Sequence, residues 1–192
     1  ARVYVKGSRV FKIYHDPKMM IPMAKFDELQ VLTSPNILKP SEVILNTKNK
    51  PVGITMDYVD HSIPLIKLVP NNFRKQNNIQ PENIVELVEK MKEVIALIHE
   101  KGILQVDGNE MNYLVDGRDI RKPYFIDVDS YQTQSFPAQV IMPTFRDYHT
   151  KDFSTLTDWF TFALIACELF VGIHPYKGKH PNFKSNEIIE RM

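Results

Sequence analysis

The run Trp159 to Ile173 (WFTFALIACELFVGI) constrains the fold more than any other segment, because it is apolar on almost every face. It is 15 residues long and broken by Thr161 and Glu168, whereas a membrane-spanning helix needs about 20 apolar residues. It therefore reads as a core helix that starts near Leu156 and stops at Gly172. Such a helix needs partners. A second one is written as a stripe, Ile84, Leu87, Val88, Met91, Val94, Ile95 and Ile98, whose spacing gives an amphipathic helix closed by Gly102. The lone cysteine, Cys167, lies inside the apolar run and reads as a small buried hydrophobe. One cysteine excludes an internal disulfide and a cysteine zinc site, which fits a reducing, cytoplasmic setting.

The start of the chain has a different period. Val3-Tyr4-Val5 and Arg9 to Tyr14 flank Lys6-Gly7-Ser8, the pattern of a β-hairpin. Met23, Phe26, Leu29 and Leu32 recur at spacings of three, so a short helix is expected over 23–33, ending at Ser34-Pro35-Asn36. Two strands follow, Ser41–Leu45 and Val52–Met56. Residues 60–82 are polar, rich in Asn and Pro, and read as a connector. After the amphipathic helix come short strands at Tyr113–Val115 and Tyr124–Ile126, a long irregular stretch over 130–153, and a helix-like end at Ser185 to Arg191. The 192 residues thus divide into a small β-rich lobe and a mainly helical lobe, an α+β architecture with its boundary between residues 59 and 60.

Composition narrows the partners. Lys plus Arg number 24 and Asp plus Glu 23, a net charge of +1, so nothing points to nucleic acid or a membrane surface. Only 7 residues are glycine, and their scatter provides no glycine-rich phosphate loop. The six histidines show no metal-binding spacing. What remains for chemistry is carboxylates. Asp107 and Asn112 stand on one loop between apolar strands, and Asp127 and Asp129 follow the strand that ends at Ile126. In an extended chain the last two side chains point the same way, and oxygen ligands of this kind suit Mg²⁺ shared with phosphates.

The order of these elements resembles the protein kinase fold over nearly the whole chain. The Val10-Phe11-Lys12-Ile13 strand is similar to the family's V-A-I-K strand, Val106-Asp107 to Asn112 to its H-R-D-x4-N loop, Asp127 to the D-F-G aspartate, and Leu156-Thr157-Asp158-Trp159 through Pro175-Tyr176 to its sixth helix. The resemblance implies ATP and Mg²⁺ as cofactors and phosphoryl transfer to a protein Ser/Thr hydroxyl as the reaction, by a divergent, bacterial-type kinase. In that scheme Lys12 holds phosphate and Asp107 is the catalytic acid/base, with Asn109 beside it in the catalytic set. Met56 is the gatekeeper, and the backbone of Asp57 and Val59 binds adenine. Asn112 and Asp127 bind metal, with Asp129 as a second or alternative ligand. Asp158 is expected to be buried and bonded to the catalytic-loop backbone. The family's glycine-rich loop would precede Ala1, and further helices would follow Met192.

The chain also departs from the pattern. Gln105 and Val106 replace the family's His and Arg, Asn109 replaces its lysine, and Asp129 stands where D-F-G has glycine. Lys25 occupies the position of the helix glutamate that pairs with the strand lysine, which leaves Glu28 as the expected partner of Lys12 and Asp27 as its alternative. These departures keep two other readings open: a pseudokinase that binds nucleotide or protein, and a small-molecule kinase.

Overall fold

A computed structural model describes residues 1–138, 141–184 and 187–192, the Glu190 side chain excepted. Arg2–Lys6 (β1) and Arg9–Ile13 (β2) form the expected hairpin. Gly7 takes φ +58° in its two-residue turn, a conformation that glycine adopts without Cβ strain. Glu42–Leu45 (β3) and Pro51–Asp57 (β4) complete an antiparallel sheet in the order β1-β2-β4-β3. Helix α1 is Met23–Leu29, four residues shorter at its end than the spacing predicts, because the chain turns at Gln30 to seat Leu32 in the core.

Residues 60–82 are more than a connector. Ser62–Pro64 (β5) adds to a second antiparallel sheet, and Asn71–Gln76 (α2) follows a 3₁₀ turn at Leu65–Leu68. Leu65 and Leu68 are fully buried, and burying an aliphatic side chain contributes about 1.5–3 kcal/mol, enough to order a polar-looking stretch around them. Arg74 of α2 donates to the carbonyl oxygens of Leu68 and Leu169, tying α2 to the last turn of the final helix.

Pro81–Glu100 (α3) buries the stripe that the sequence shows, with Val88 half-buried at its edge, and packs on β7 and α4. Its N-terminus carries a reciprocal cap between Gln80 and Asn83. Tyr113–Asp116 (β6) and Asp119–Phe125 (β7) complete the second sheet in the order β5-β6-β7. The chain after α1 docks on β7: Phe125 N–H donates to Asn36 O at 2.7 Å, and Leu38 N–H to Phe125 O at 2.9 Å. Those two bonds hold the first sheet against the second.

Thr155–Val171 (α4) is the apolar helix, closed by Gly172 at φ +84°. It buries Leu164, Ile165 and Leu169, yet Leu156, Phe170 and Val171 are exposed and Cys167 is half-buried, so its burial is one-sided rather than complete. Of the helix expected over Ser185 to Arg191, residues 185 and 186 lie outside the described residues, and Ile189–Arg191 is a single 3₁₀ turn. No helix among the described residues is long and apolar enough to cross a membrane.

Candidate functional site

Between the two sheets lies a cavity of about 510 Å³ lined by Val3, Val5, Val10, Leu38, Met56 and Ile126 along its apolar walls. Lys12, Asn112 and Asp127 close it at one end, and the Asp57–Val59 segment that leads from β4 to β5 runs along the other. The alternation of β2 explains the lining, since Val10 and Lys12 fall on one face. The Val59 amide makes no hydrogen bond to any described residue, and one cation and several oxygen ligands gather at the polar end of the apolar cavity.

The loop after α3 is built around a buried acid. Asp158, 4% exposed, accepts from Gln105 N–H at 2.8 Å and Val106 N–H at 2.9 Å, and its Oδ2 lies 2.9 Å from His99 Nε2. Val106 is held at φ +60°, a left-handed conformation that costs a β-branched residue about 1–3 kcal/mol. Asp107 follows this turn, half-buried and on the same loop as Asn112. Its Oδ1 accepts from Met142 N–H at 2.7 Å, and its carbonyl accepts from Asn112 Nδ2 at 2.7 Å, which turns the other end of the Asn112 amide, an acceptor, away from the loop. Asn109, predicted to take part in catalysis, is 2% exposed and closed within the loop. Its Nδ2 donates to Asp107 O at 3.3 Å, and its Oδ1 accepts from Met111 N–H at 3.0 Å. Its role here is to shape the loop, because an amide has no charge to offer and both its ends are occupied.

Asp127 and Asp129 converge, though not by strand alternation. Asp127 sits at φ +57°, ψ 32° and opens a 3₁₀ turn over Val128–Ser130, and that turn points both carboxylates at Lys12. Lys12 Nζ lies 2.7 Å from Asp127 Oδ1, 3.0 Å from Asp129 Oδ1 and 2.8 Å from Asp129 Oδ2. Burial lowers the Lys12 pKa, but Asp129 and Asp127 outweigh it and the net shift is upward. Tyr14 Oη donates to Asp129 Oδ2 at 2.5 Å, and burial followed by that carboxylate pushes the phenol far up. Asp127 alone of the pair lines the cleft; Asp129 is 6% exposed with both oxygens taken by Lys12 and Tyr14. Asp127 with Asn112 is thus the oxygen set open to a hard cation. Among the described residues no three His, Cys, Asp or Glu side chains cluster as a metal site by themselves.

The expected Lys12–Glu28 pair is not formed. Glu28 Oε2 accepts from the Ser135 amide at 3.3 Å, and among the described residues the carboxylates at Lys12 are those of Asp127 and Asp129. Helix α1 presents Lys25 to this region instead. That side chain is 7% exposed, burial lowers its pKa, and its Nζ donates to Asp129 O at 2.9 Å. The contacts of Tyr14 and Lys25 with Asp129 are not foreseen from the sequence. Tyr14 carried a signal, since it lies two residues past Lys12 on the same face; Lys25 carried none beyond its place in the helix.

The fold is similar to that of solved protein kinases. The kinase PK-1 of Cydia pomonella granulovirus is similar with a TM-score of 0.69 at 19% identity, covering 91% of this chain and 63% of that one. The yeast RNA polymerase II CTD kinase CTDK-1 complex is similar with a TM-score of 0.65 at 20% identity, covering 95% and 60%. The chain therefore has a protein kinase-like, mixed α+β fold, and it spans less than two thirds of the length of either neighbour. No protein-family model matches the chain, and no curated protein does.

Proposed function

We propose that this kinase-like chain is a phosphotransferase that uses ATP and Mg²⁺ to phosphorylate a Ser/Thr hydroxyl of a protein. One observation carries the reading: Lys12, Asp127 and Asn112 meet at the polar end of an apolar cleft, and the loop that supplies Asn112 also supplies Asp107. Bound Mg-ATP supplies the phosphoryl group and the negative charge that must be neutralised as it moves. Lys12 would hold phosphate oxygens, and Asp127 with the free oxygen of Asn112 would hold the metal. The Asp57 and Val59 backbone would hold the adenine ring, with Met56 at its back. Asp107 would orient the acceptor hydroxyl and take its proton through Oδ2, which accepts only a long 3.4 Å bond from Asn112 Nδ2, whereas Met142 N–H holds Oδ1 at 2.7 Å. Positioning and charge neutralisation do most of the work. A cytoplasmic location belongs to the same proposal, on the ground of the single cysteine.

A second reading, a nucleotide-binding pseudokinase, is favoured by Asn109: where a lysine would add positive charge, this loop buries a neutral amide. Mg²⁺-dependent transfer of ³²P from ATP to a basic protein or to the chain itself separates the two. The parent should label, and Asp107→Ala and Asp127→Ala should each lose more than 100-fold, in line with the loss of a positioned acid/base or of electrostatic stabilisation. ATP binding without labelling by the parent selects the pseudokinase; no ATP binding sinks both.

A further inference from the structure

The contacts of Asp129 exceed what a spare carboxylate needs. Its two oxygens receive Lys12 Nζ at 3.0 and 2.8 Å and Tyr14 Oη at 2.5 Å, and its carbonyl receives Lys25 Nζ at 2.9 Å. Lys12 and Tyr14 belong to β2 and its end, Lys25 to α1, and Asp129 to the turn that follows β7, so one buried residue joins three parts of the fold. We infer that Asp129 is the positioning residue that holds Lys12 in the cleft, in place of any acidic side chain of α1, and that Tyr14 and Lys25 hold Asp129. The inference rests on the nucleotide reading given above for the consequence, but not for the contact itself.

Three features make this a built device. A cation at the α1 position is incompatible with a direct helix-to-Lys12 ion pair, and Lys25 turns that incompatibility into a bond to the Asp129 backbone. The burial of Asp129 makes its charge expensive to leave unpaired, so Lys12 is held strongly. Tyr14, half-buried, satisfies an oxygen that a single ammonium does not saturate. The ammonium is then shared between a fixed partner, Asp129, and one that faces the cavity, Asp127.

A positioning role and a metal-ligand role separate in binding measurements on the full chain. A fluorescent ATP analogue is titrated in Mg²⁺ and again in EDTA, with the parent, Asp129→Asn, Asp127→Asn and Glu28→Gln. Asp129→Asn should weaken binding about tenfold in both media, the loss expected for one misplaced ion-pairing group; Asp127→Asn, which removes a second partner of Lys12 as well as a metal ligand, should lose markedly more affinity in Mg²⁺ than in EDTA, and Glu28→Gln should match the parent. A loss with Asp129→Asn confined to Mg²⁺ makes Asp129 a metal ligand and overturns the inference, as does a loss with Glu28→Gln equal to that of Asp129→Asn. A parent that binds in neither medium refutes the nucleotide reading. The contact is then judged without nucleotide, by mass-spectrometric acetylation rates of each lysine: Lys12 should label at least fivefold faster in Asp129→Asn than in the parent, and a change under twofold overturns it. Where Asp129→Asn lacks the parent circular-dichroism spectrum, Tyr14→Phe takes its place. A threefold loss of analogue affinity in both media, or for a non-binding parent a threefold change in Lys12 labelling, is then expected, and no change overturns the inference.

Discussion

Replacing Asp158 by alanine tests how the catalytic loop is held. The carboxylate receives Gln105 N–H at 2.8 Å and Val106 N–H at 2.9 Å, and His99 at 2.9 Å, in a site 4% exposed. Leaving two buried amides unpaired costs about 1–3 kcal/mol each. Part is returned, because Val106 is no longer forced to φ +60° and recovers about 1–3 kcal/mol of strain. The net loss is about 2–3 kcal/mol, which for a chain of 192 residues lowers Tm by about 4–12 °C. Thermal and urea unfolding followed by circular dichroism measure it, and Asp158→Asn, which keeps one acceptor oxygen, should lose roughly half as much. Val106→Gly supplies the stringent check. In the parent it relieves strain that is already gone in Asp158→Ala, so the two substitutions should couple by about 1 kcal/mol in a double-mutant cycle. A Tm within about 2 °C of the parent for Asp158→Ala, or strict additivity with Val106→Gly, refutes the claim that Asp158 enforces the turn.

Two further outcomes follow from the same structure. Gly53 faces Ile13 across β2 and β4, and a Cβ there would press on the Lys12 carbonyl oxygen, so Gly53→Ala should cost about 1–3 kcal/mol and weaken nucleotide-analogue binding by displacing Lys12. Burial, and then the Glu110 carboxylate, push the Glu168 carboxyl from its ordinary 4.5 up to about 7. Between those values the folded chain binds more protons than the unfolded chain, so this group's contribution to stability falls as pH rises from 4.5 to 7 and levels off above. Glu168→Gln, neutral throughout, should flatten that fall and exceed the parent in stability at pH 8, as urea unfolding across pH will read; an unchanged pH profile rules out Glu168 as its source.

Much of the fold is legible because its signals are local and periodic. The stripe on α3, the hairpin turn at Gly7, and the Gly172 stop of α4 each state an element without reference to anything distant. The Asp107–Asn112 loop is legible for the same reason: five residues of separation suffice to bring an amide to a carbonyl. The misses are of two kinds. Leu65 and Leu68 lie in a polar stretch whose order comes from distant core partners, so β5 and α2 leave little periodic trace. The kinase resemblance puts a glutamate partner of Lys12 on α1, where this chain has Lys25, and the partner comes from Asp129 instead.

The residue order alone pointed to a β-rich part followed by a mainly helical one, and to Lys12, Asp107, Asn109, Asn112, Asp127 and Asp129 as the candidate groups for chemistry. Which carboxylate meets Lys12 was decided only by tertiary structure. Asp129 is 117 residues away along the chain, and its aim depends on a left-handed Asp127 and a 3₁₀ turn, neither of which has a sequence period. Charge attraction acts through space and over a few ångströms, so a pairing between such distant residues exists only once β2, α1 and the turn after β7 have packed.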